Sequence, residues 1–148
     1  MSRSNERSNA FVSRTGWYSF YYPKDWTVEE SDDSTAVFDP EHGVGALHIS
    51  AYQTPGRVDS KSELIEHLSD NVPPVDEERV VSFSSGSKNV ASFDYTNDGD
   101  FHKIWFIGDG RYLVLANYVS DKEDAESEMG KVEKIIASIE VEPNLSRN

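Results

Sequence analysis

The sequence predicts an α+β domain, in which an antiparallel twisted sheet is flanked by helices. Short runs rich in aromatic and β-branched residues recur along the chain, and turn signals separate them. Asp-Gly pairs lie between the later runs, and such pairs are typical of type I′ hairpins. Apolar residues recur at helical spacing in two other segments. A length of 148 residues is that of one ordinary domain.

Both ends of the chain are short and polar. We therefore expect residues 16–142 to form the domain, residues 1–15 a flexible polar N-terminus, and residues 143–148 a short polar tail. The first ten residues, MSRSNERSNA, lack the apolar segment of a secretory signal, and no apolar run is long enough to span a membrane. These features lead us to expect a cytoplasmic protein.

The charge is strongly acidic. Fourteen Lys and Arg against 27 Asp and Glu give a net charge of −13. Nucleic-acid binding and docking on anionic membranes both require basic residues, so we expect neither. The chain has no cysteine, which excludes disulfides, thiolate catalysis and Cys-based metal sites. A basic protein partner would fit this balance, and so would a solvated acidic surface or a halophilic source.

The N-terminal half of the sequence is predicted to form strands. The predicted strands cover residues 16–22, 26–30, 35–38 and 45–53, and the first of them stops at Pro23. The last one has apolar residues on both faces, which favours a central position in the sheet.

A helix is predicted to follow. Ser60 and Glu63 have the spacing of a capping box, in which each side chain satisfies a backbone donor of the other residue. The following residues carry one apolar stripe, which begins at Leu64. Pro73 and Pro74 would end the helix.

The next four runs predict an antiparallel meander of residues 79–84, 90–96, 101–107 and 111–119. If Asp98 and Gly99 form the first two-residue loop, the paired residues are Thr96 with Phe101, Asp94 with Lys103, Ser92 with Trp105, Tyr95 with His102, Phe93 with Ile104, and Ala91 with Phe106. A second loop at Asp109-Gly110 would pair Phe106 with Leu113.

These pairs divide the meander into two faces. One is apolar and is expected to seat the last helix; it comprises Phe93, Ile104, Phe106, Leu113 and Leu115. The other is mixed and comprises Ser92, Asp94, Lys103, Trp105, Tyr112, Val114, Ala116 and Tyr118. Either the first helix and the N-terminal aromatic residues cover this mixed face, or it is a partly open surface.

The last helix is predicted to begin at a second capping box, formed by Ser120 and Glu123. Its apolar stripe falls at Ala125, Met129, Val132, Ile136 and Ile139. Gly130 lies inside this helix, and we take it to permit a close approach to the sheet.

No motif points to catalysis or to a metal. Residues 94–99 imitate the start of an EF-hand loop, but the ligand position at the end of such a loop is occupied by Trp105, so a hairpin turn is expected. His42, His48, His67 and His102 show no zinc spacing. Because nucleophile elbows and phosphate-binding glycine loops are also absent, we expect no enzyme, no metal and no cofactor.

One segment carries a family resemblance. Residues 20–28 read FYYPKDWTV, a strand that ends in Tyr-Pro and is followed two residues later by Trp. This run, together with the order of the later elements, resembles PsbP-like domains. That superfamily includes the extrinsic photosystem subunit, DcrB-like proteins, a Ran-release factor and secretion-effector chaperones. The resemblance implies an α/β/α sandwich and a binding protein rather than an enzyme.

The function predicted from these observations is non-catalytic protein binding, as in an adaptor, a chaperone or an immunity protein. The acidic surface would attract a basic partner. An aromatic patch would hold it, formed by Lys103, Trp105, Tyr112 and Tyr118. A small-ligand binder with a pocket between sheet and helix is the first alternative, favoured by a concavity lined by those aromatic residues. A hydrolase-like enzyme is the second, and it would need a His and an acid in one cleft.

Overall fold

The computed structural model describes residues 8–32, 34–41, 43–71, 77–124 and 126–141. Predictions for residues 1–7 and 142–148, for His42, for Pro73 and Pro74, and for Ala125 lie outside these ranges. In chain order the elements are β1 (Ser8–Val12), β2 (Tyr18–Pro23), β3 (Thr27–Glu30), β4 (Thr35–Phe38), β5 (Gly45–Gln53), α1 (Ser60–Asn71), β6 (Val81–Ser85), β7 (Lys88–Asn97), β8 (Asp100–Asp109), β9 (Tyr112–Asp121), α2 (Met129–Ala137) and β10 (Glu140–Val141).

The strands form two antiparallel sheets, which confirms the predicted α+β class. The larger sheet has seven strands in the order β3-β4-β5-β9-β8-β7-β6, and the smaller has three in the order β1-β2-β10. The central position predicted for β5 is confirmed, because it pairs with β4 on one side and β9 on the other.

Residues 8–12 are not part of a flexible terminus, so that prediction is wrong for them. They form β1, which pairs with β2 through contacts such as Ala10 with Tyr21. Phe11 packs against Phe20 with the ring centroids 5.0 Å apart. Phe11 is the large side chain through which this edge strand packs against the core. Because one such residue is enough, the segment has a mostly polar sequence.

The first predicted hairpin is confirmed in register. Asp98 and Gly99 both have positive φ, as a type I′ turn requires, and Trp105 pairs with Ser92. The second loop is one residue later than predicted, because Asp109 pairs with Tyr112 and the loop is therefore Gly110-Arg111. This change moves each partner by two residues, so every side chain keeps its predicted face.

The apolar face of the meander is covered by α1, and the prediction that the last helix sits there is wrong. A buried cluster joins Leu64 of α1 and Val58 to the predicted apolar residues of β7, β8 and β9. The start of the helix approaches closely at Gly108, where an ideal Cβ would lie 2.9 Å from Ser60 Oγ. Alternation assigns residues to a face, but it does not say which helix covers that face.

Neither predicted capping box forms. Ser60 Oγ donates instead to the Asn89 carbonyl at 2.8 Å, which ties the start of α1 to β7. Ser120 belongs to β9, where it pairs with Gly45, because the sheet continues to Asp121. The last helix consequently begins only at Met129, after a 3-10 turn over Lys122–Asp124.

The mixed face of the meander is covered by α2 together with the small sheet. Ile135 and Ile136 of α2 share a buried cluster with Trp105, Tyr118 and the N-terminal aromatic residue Phe20. The main core of the molecule therefore lies on this face. Gly130 gives no close approach to it, since an added Cβ there would meet nothing within 4 Å, and that prediction is wrong.

Candidate binding groove

An open groove separates α2 from the outer strands of the large sheet. Its cavity volume is about 320 Å³, and we call it the β6–α2 groove. Its apolar lining comes from three strands and one helix, through Val81, Phe83, Val90, Trp105, Ile107, Ile136 and Ala137.

The strand register explains the sheet side of the groove. Val81 pairs with Ser92, which pairs in turn with Trp105. Phe83 pairs with Val90 in the same way, and Val90 with Ile107. Directly opposed residues share a face of an antiparallel sheet. The groove floor is therefore two cross-strand rows, apolar except at Ser92, that run out to the edge strand β6.

Along each row the side chains change from buried at the inner end to exposed at the outer end. The Trp105 side chain is held under α2 and is only 3% exposed, whereas Val81 is 58% and Phe83 is 55% exposed. The helix thus covers the inner end of each row and leaves the outer end open. Large apolar side chains that remain this accessible beside a concavity are typical of binding surfaces.

Two lysines bridge the groove between sheet and helix. Lys103 Nζ lies 2.8 Å from Glu133 Oε2 and 5.2 Å from the centre of the Trp105 ring. Lys88 Nζ donates to the Ile139 carbonyl at 2.8 Å, just after α2 ends. The Lys103–Glu133 pair is partly solvated and contributes only about 0.2–1 kcal/mol to stability. Both contacts place charge on an otherwise apolar lining.

The predicted patch is only partly brought together. Lys103 and Trp105 line the groove. Tyr118 is 0% exposed, so the prediction that it contacts a partner is wrong. Tyr112 lies away from the groove, where its ring is 5.5 Å from that of Trp17 and its hydroxyl accepts from Gln53 Nε2.

Tyr118 instead belongs to a buried polar pair beneath the helix start. Its hydroxyl donates to Glu128 Oε1 at 2.8 Å, and Glu128 is the residue before α2. Burial, followed by this hydrogen bond, raises the pKa of Tyr118 well above its usual range. The tyrosine is therefore a neutral structural donor.

Val81 and Phe83 are groove residues that sequence reasoning did not select. Their alternation in the predicted strand 79–84 indicated that they share one face. Nothing in the sequence indicated that α2 would stop short of this face.

The described residues contain no group of three or more His, Cys, Asp or Glu that could hold a metal ion. The histidines they include lie apart from the groove lining; His102, for example, stacks on Tyr95 with ring centroids 4.7 Å apart. Among the described helices, none is both long and apolar enough to cross a membrane. The groove therefore offers an apolar surface with an ammonium–carboxylate pair beside it.

The two antiparallel sheets, with a helix on each face of the larger one, form a PsbP-like fold, as the resemblance implied. The solution structure of the cyanobacterial PsbP protein CyanoP, from Synechocystis sp. PCC 6803, is similar with a TM-score of 0.66 and 8% identity, covering 91% of this chain and 92% of that one. LpqN, involved in cell envelope biogenesis of Mycobacterium tuberculosis, is similar with a TM-score of 0.56 and 11% identity, covering 97% and 98%. At such identities the similarity shows the fold alone.

The chain belongs to the family described as domain of unknown function DUF3805, whose model matches residues 6–147. A crystal structure from Bacteroides thetaiotaomicron VPI-5482 is also similar, with a TM-score of 0.67 and 21% identity. It covers 91% of this chain but 48% of its own, so the present chain spans about half the length of that protein. No curated protein matches the chain in sequence.

Proposed function

We propose that this chain is a non-enzymatic ligand-binding domain whose β6–α2 groove receives an apolar small molecule. The observation that carries the proposal is the open concavity of about 320 Å³ with Trp105 and Ile107 in its floor. This volume falls within the range of about 300–1,000 Å³ in which small-molecule sites are found.

The chemistry of the lining supports an apolar ligand. Covering the exposed ends of the two rows would remove Val81 and Phe83 from water, which is favourable by about 25 cal/mol per Å² of apolar surface. The Lys103–Glu133 pair supplies a polar group beside the cavity, and a few such groups fix the orientation of a ligand in an apolar site.

The groove supports one of the two kinds of binding that the sequence left open. A concavity lined by the predicted aromatic residues would favour a small ligand, and one of those three residues, Trp105, lies in a concavity. A protein-binding aromatic patch would need Tyr118 at the surface, where it is not. Because half of the proposed patch is elsewhere, the small-ligand function is the better supported one.

The test is a titration of the protein with Nile red, a neutral apolar dye, followed by fluorescence. We expect saturable binding by the natural chain and about tenfold weaker binding by Phe83→Ser, which corresponds to about 1.4 kcal/mol. Tyr21→Ser is the matched control, because Tyr21 is an aromatic residue of similar exposure (59%) outside the groove. Val81→Ser and Val12→Ser form a second matched pair.

Equal dye binding by Phe83→Ser and Tyr21→Ser would contradict the proposal, since a residue of the groove would then contribute no more to binding than an exposed aromatic residue outside it. Circular dichroism of each variant checks that it is folded, so that dye binding is compared only between folded proteins.

Protein binding through the acidic surface is the second candidate, and the net charge of −13 favours it. It predicts one stoichiometric basic partner that is captured at low salt and lost at high salt, because screening weakens contacts between exposed charges. Binding of this chain to the partner must then be reproduced with the purified partner. A partner retained equally at high salt would contradict an electrostatic interface.

A further inference from the structure

The edge strand β6 lacks the features that protect exposed edges in most sheets. Its sequence, VSFSS, contains neither a charged residue nor a proline. The opposite edge of the same sheet, β3, carries Glu29 and Glu30. Unpaired backbone groups at an edge recruit further strands unless charges, prolines or bulges prevent it.

The exposed side chains of β6 point to the same conclusion. Val81 and Phe83 are both more than half exposed, and both lie on the groove face. β1 is also an uncharged edge with one large exposed apolar residue, Val12. That strand does not line the β6–α2 groove, and Arg14 just beyond it lies close to Glu30 and Asp32. β6 is therefore the better candidate for strand pairing, and β1 is its natural control.

We propose that β6 pairs antiparallel with β6 of a second copy of this chain. Phe83 is the middle residue of the five, so a two-fold axis there places Phe83 opposite Phe83 of the second copy and Val81 opposite Ser85 of the second copy. Directly opposed residues lie on the same face, so the second Phe83 stands at the mouth of the groove. The second copy thereby contributes a wall that a single chain lacks.

The charges around β6 permit this approach despite the net charge of −13. The groove lining holds Lys88, Lys103 and Glu133, two positive groups against one negative. Antiparallel pairing also brings the start of one β6, which follows Glu77, Glu78 and Arg79 with a net charge of −1, towards the end of the other, which precedes Lys88. Segments of opposite net charge therefore meet at both ends of the paired strands, whereas two acidic surfaces elsewhere on the molecule would repel each other.

The first experiment is sedimentation equilibrium of the full chain at concentrations up to about 1 mM. We expect a reversible dimer, weakened at least tenfold by Phe83→Lys and unchanged by Val12→Lys at the control edge. A charge on β6 must be desolvated against the second copy, which is the device that natural edge strands use. A natural chain that stays monomeric throughout, or a dimer lost in Val12→Lys but not in Phe83→Lys, would overturn the inference.

The second experiment uses the absence of native cysteine. Opposed residues of an antiparallel pair have Cα atoms about 4.5–5.5 Å apart, within the range of about 4.4–6.8 Å that a disulfide requires. Phe83→Cys should therefore oxidise to a covalent dimer, and Val12→Cys should not. The inference stands apart from the identity of the ligand: a monomer that binds Nile red would refute the dimer alone, and a dimer that does not bind it would refute the proposed function alone.

Discussion

The hydrogen bond between Tyr118 and Glu128 joins the start of α2 to the central strands of the large sheet. Space for the tyrosine hydroxyl exists because residue 45 is glycine: a Cβ there would lie 2.7 Å from that oxygen. The Glu128 carbonyl also accepts the first helical hydrogen bond, from Val132 N at 3.0 Å. One buried side-chain contact thus fixes the helix that forms one wall of the groove.

Replacement of Tyr118 by Phe tests this contact. The change leaves the buried Glu128 carboxylate without its donor, so we expect a loss of about 1–3 kcal/mol in the free energy of unfolding. Urea denaturation at neutral pH measures it, with Tyr21→Phe at the surface as the control. A loss no larger than that of the control would show that the bond contributes nothing to stability.

The same variant should change the response to alkaline pH. The pKa of Tyr118 in the folded chain lies above the ordinary value of 10.0 because of burial and the bond to Glu128. Its contribution is fully present below pH 10 and is lost as the pH rises further, since the unfolded chain then releases the proton first. Between about pH 10 and 12 the natural chain should therefore lose stability more steeply than Tyr118→Phe. Parallel pH profiles of the two proteins would contradict this assignment.

At the scale of whole elements, the strands were the most predictable part of the fold. β4 and β5 have their predicted bounds, and the pairing of β7 with β8 follows from the Asp98-Gly99 turn. The start of α2 was not predictable from its local capping signal. Ser120 and Glu123 have the right spacing, but pairing of β9 with both β5 and β8 keeps Ser120 in the sheet.

The groove was also only partly predictable from the sequence. Alternation places Lys103 and Trp105 on one face, which the structure confirms. The same alternation places Tyr118 on that face, but its burial depends on where α2 crosses the sheet. That crossing is set by long-range packing, which local sequence patterns do not contain.

Gly130 of α2 offers a test at this scale. It is the second residue of the helix, it is exposed, and an added Cβ would contact nothing within 4 Å. Gly130→Ala should therefore raise the free energy of unfolding by about 0.4–1 kcal/mol, because alanine loses less conformational freedom on folding.

Calorimetry should show the corresponding rise of about 1–4 °C in Tm. Gly108→Ala is the matched control with the opposite expected sign, because its Cβ would lie 2.7 Å from Val58 Cγ1 and 2.9 Å from Ser60 Oγ. Destabilisation by Gly130→Ala would show that α2 needs the glycine.

For the molecule as a whole, the excess of acidic residues sets the response to salt. A net charge of −13 produces repulsion within the compact chain. Raising the NaCl concentration from about 0.01 to 0.5 M shortens the Debye length from about 30 Å to a few ångströms, which screens this repulsion. The free energy of unfolding should therefore rise over that range in urea titrations. A decrease would show that attractive ion pairs outweigh the repulsion.

The small sheet joins the two ends of the described chain, because β2 pairs with β1 on one side and with β10 on the other. Val141 lies beside Tyr18, and Glu140 beside Ser19. During synthesis, β1 and β2 leave the ribosome well before β10, because all the other described strands and helices lie between them in the chain. Contacts so distant along the chain close late and slowly. In a nascent chain that stalls before β10, one edge of β2 would remain unpaired. The pairing of β10 with β2 is therefore the step that removes this edge from the reach of chaperones and proteases.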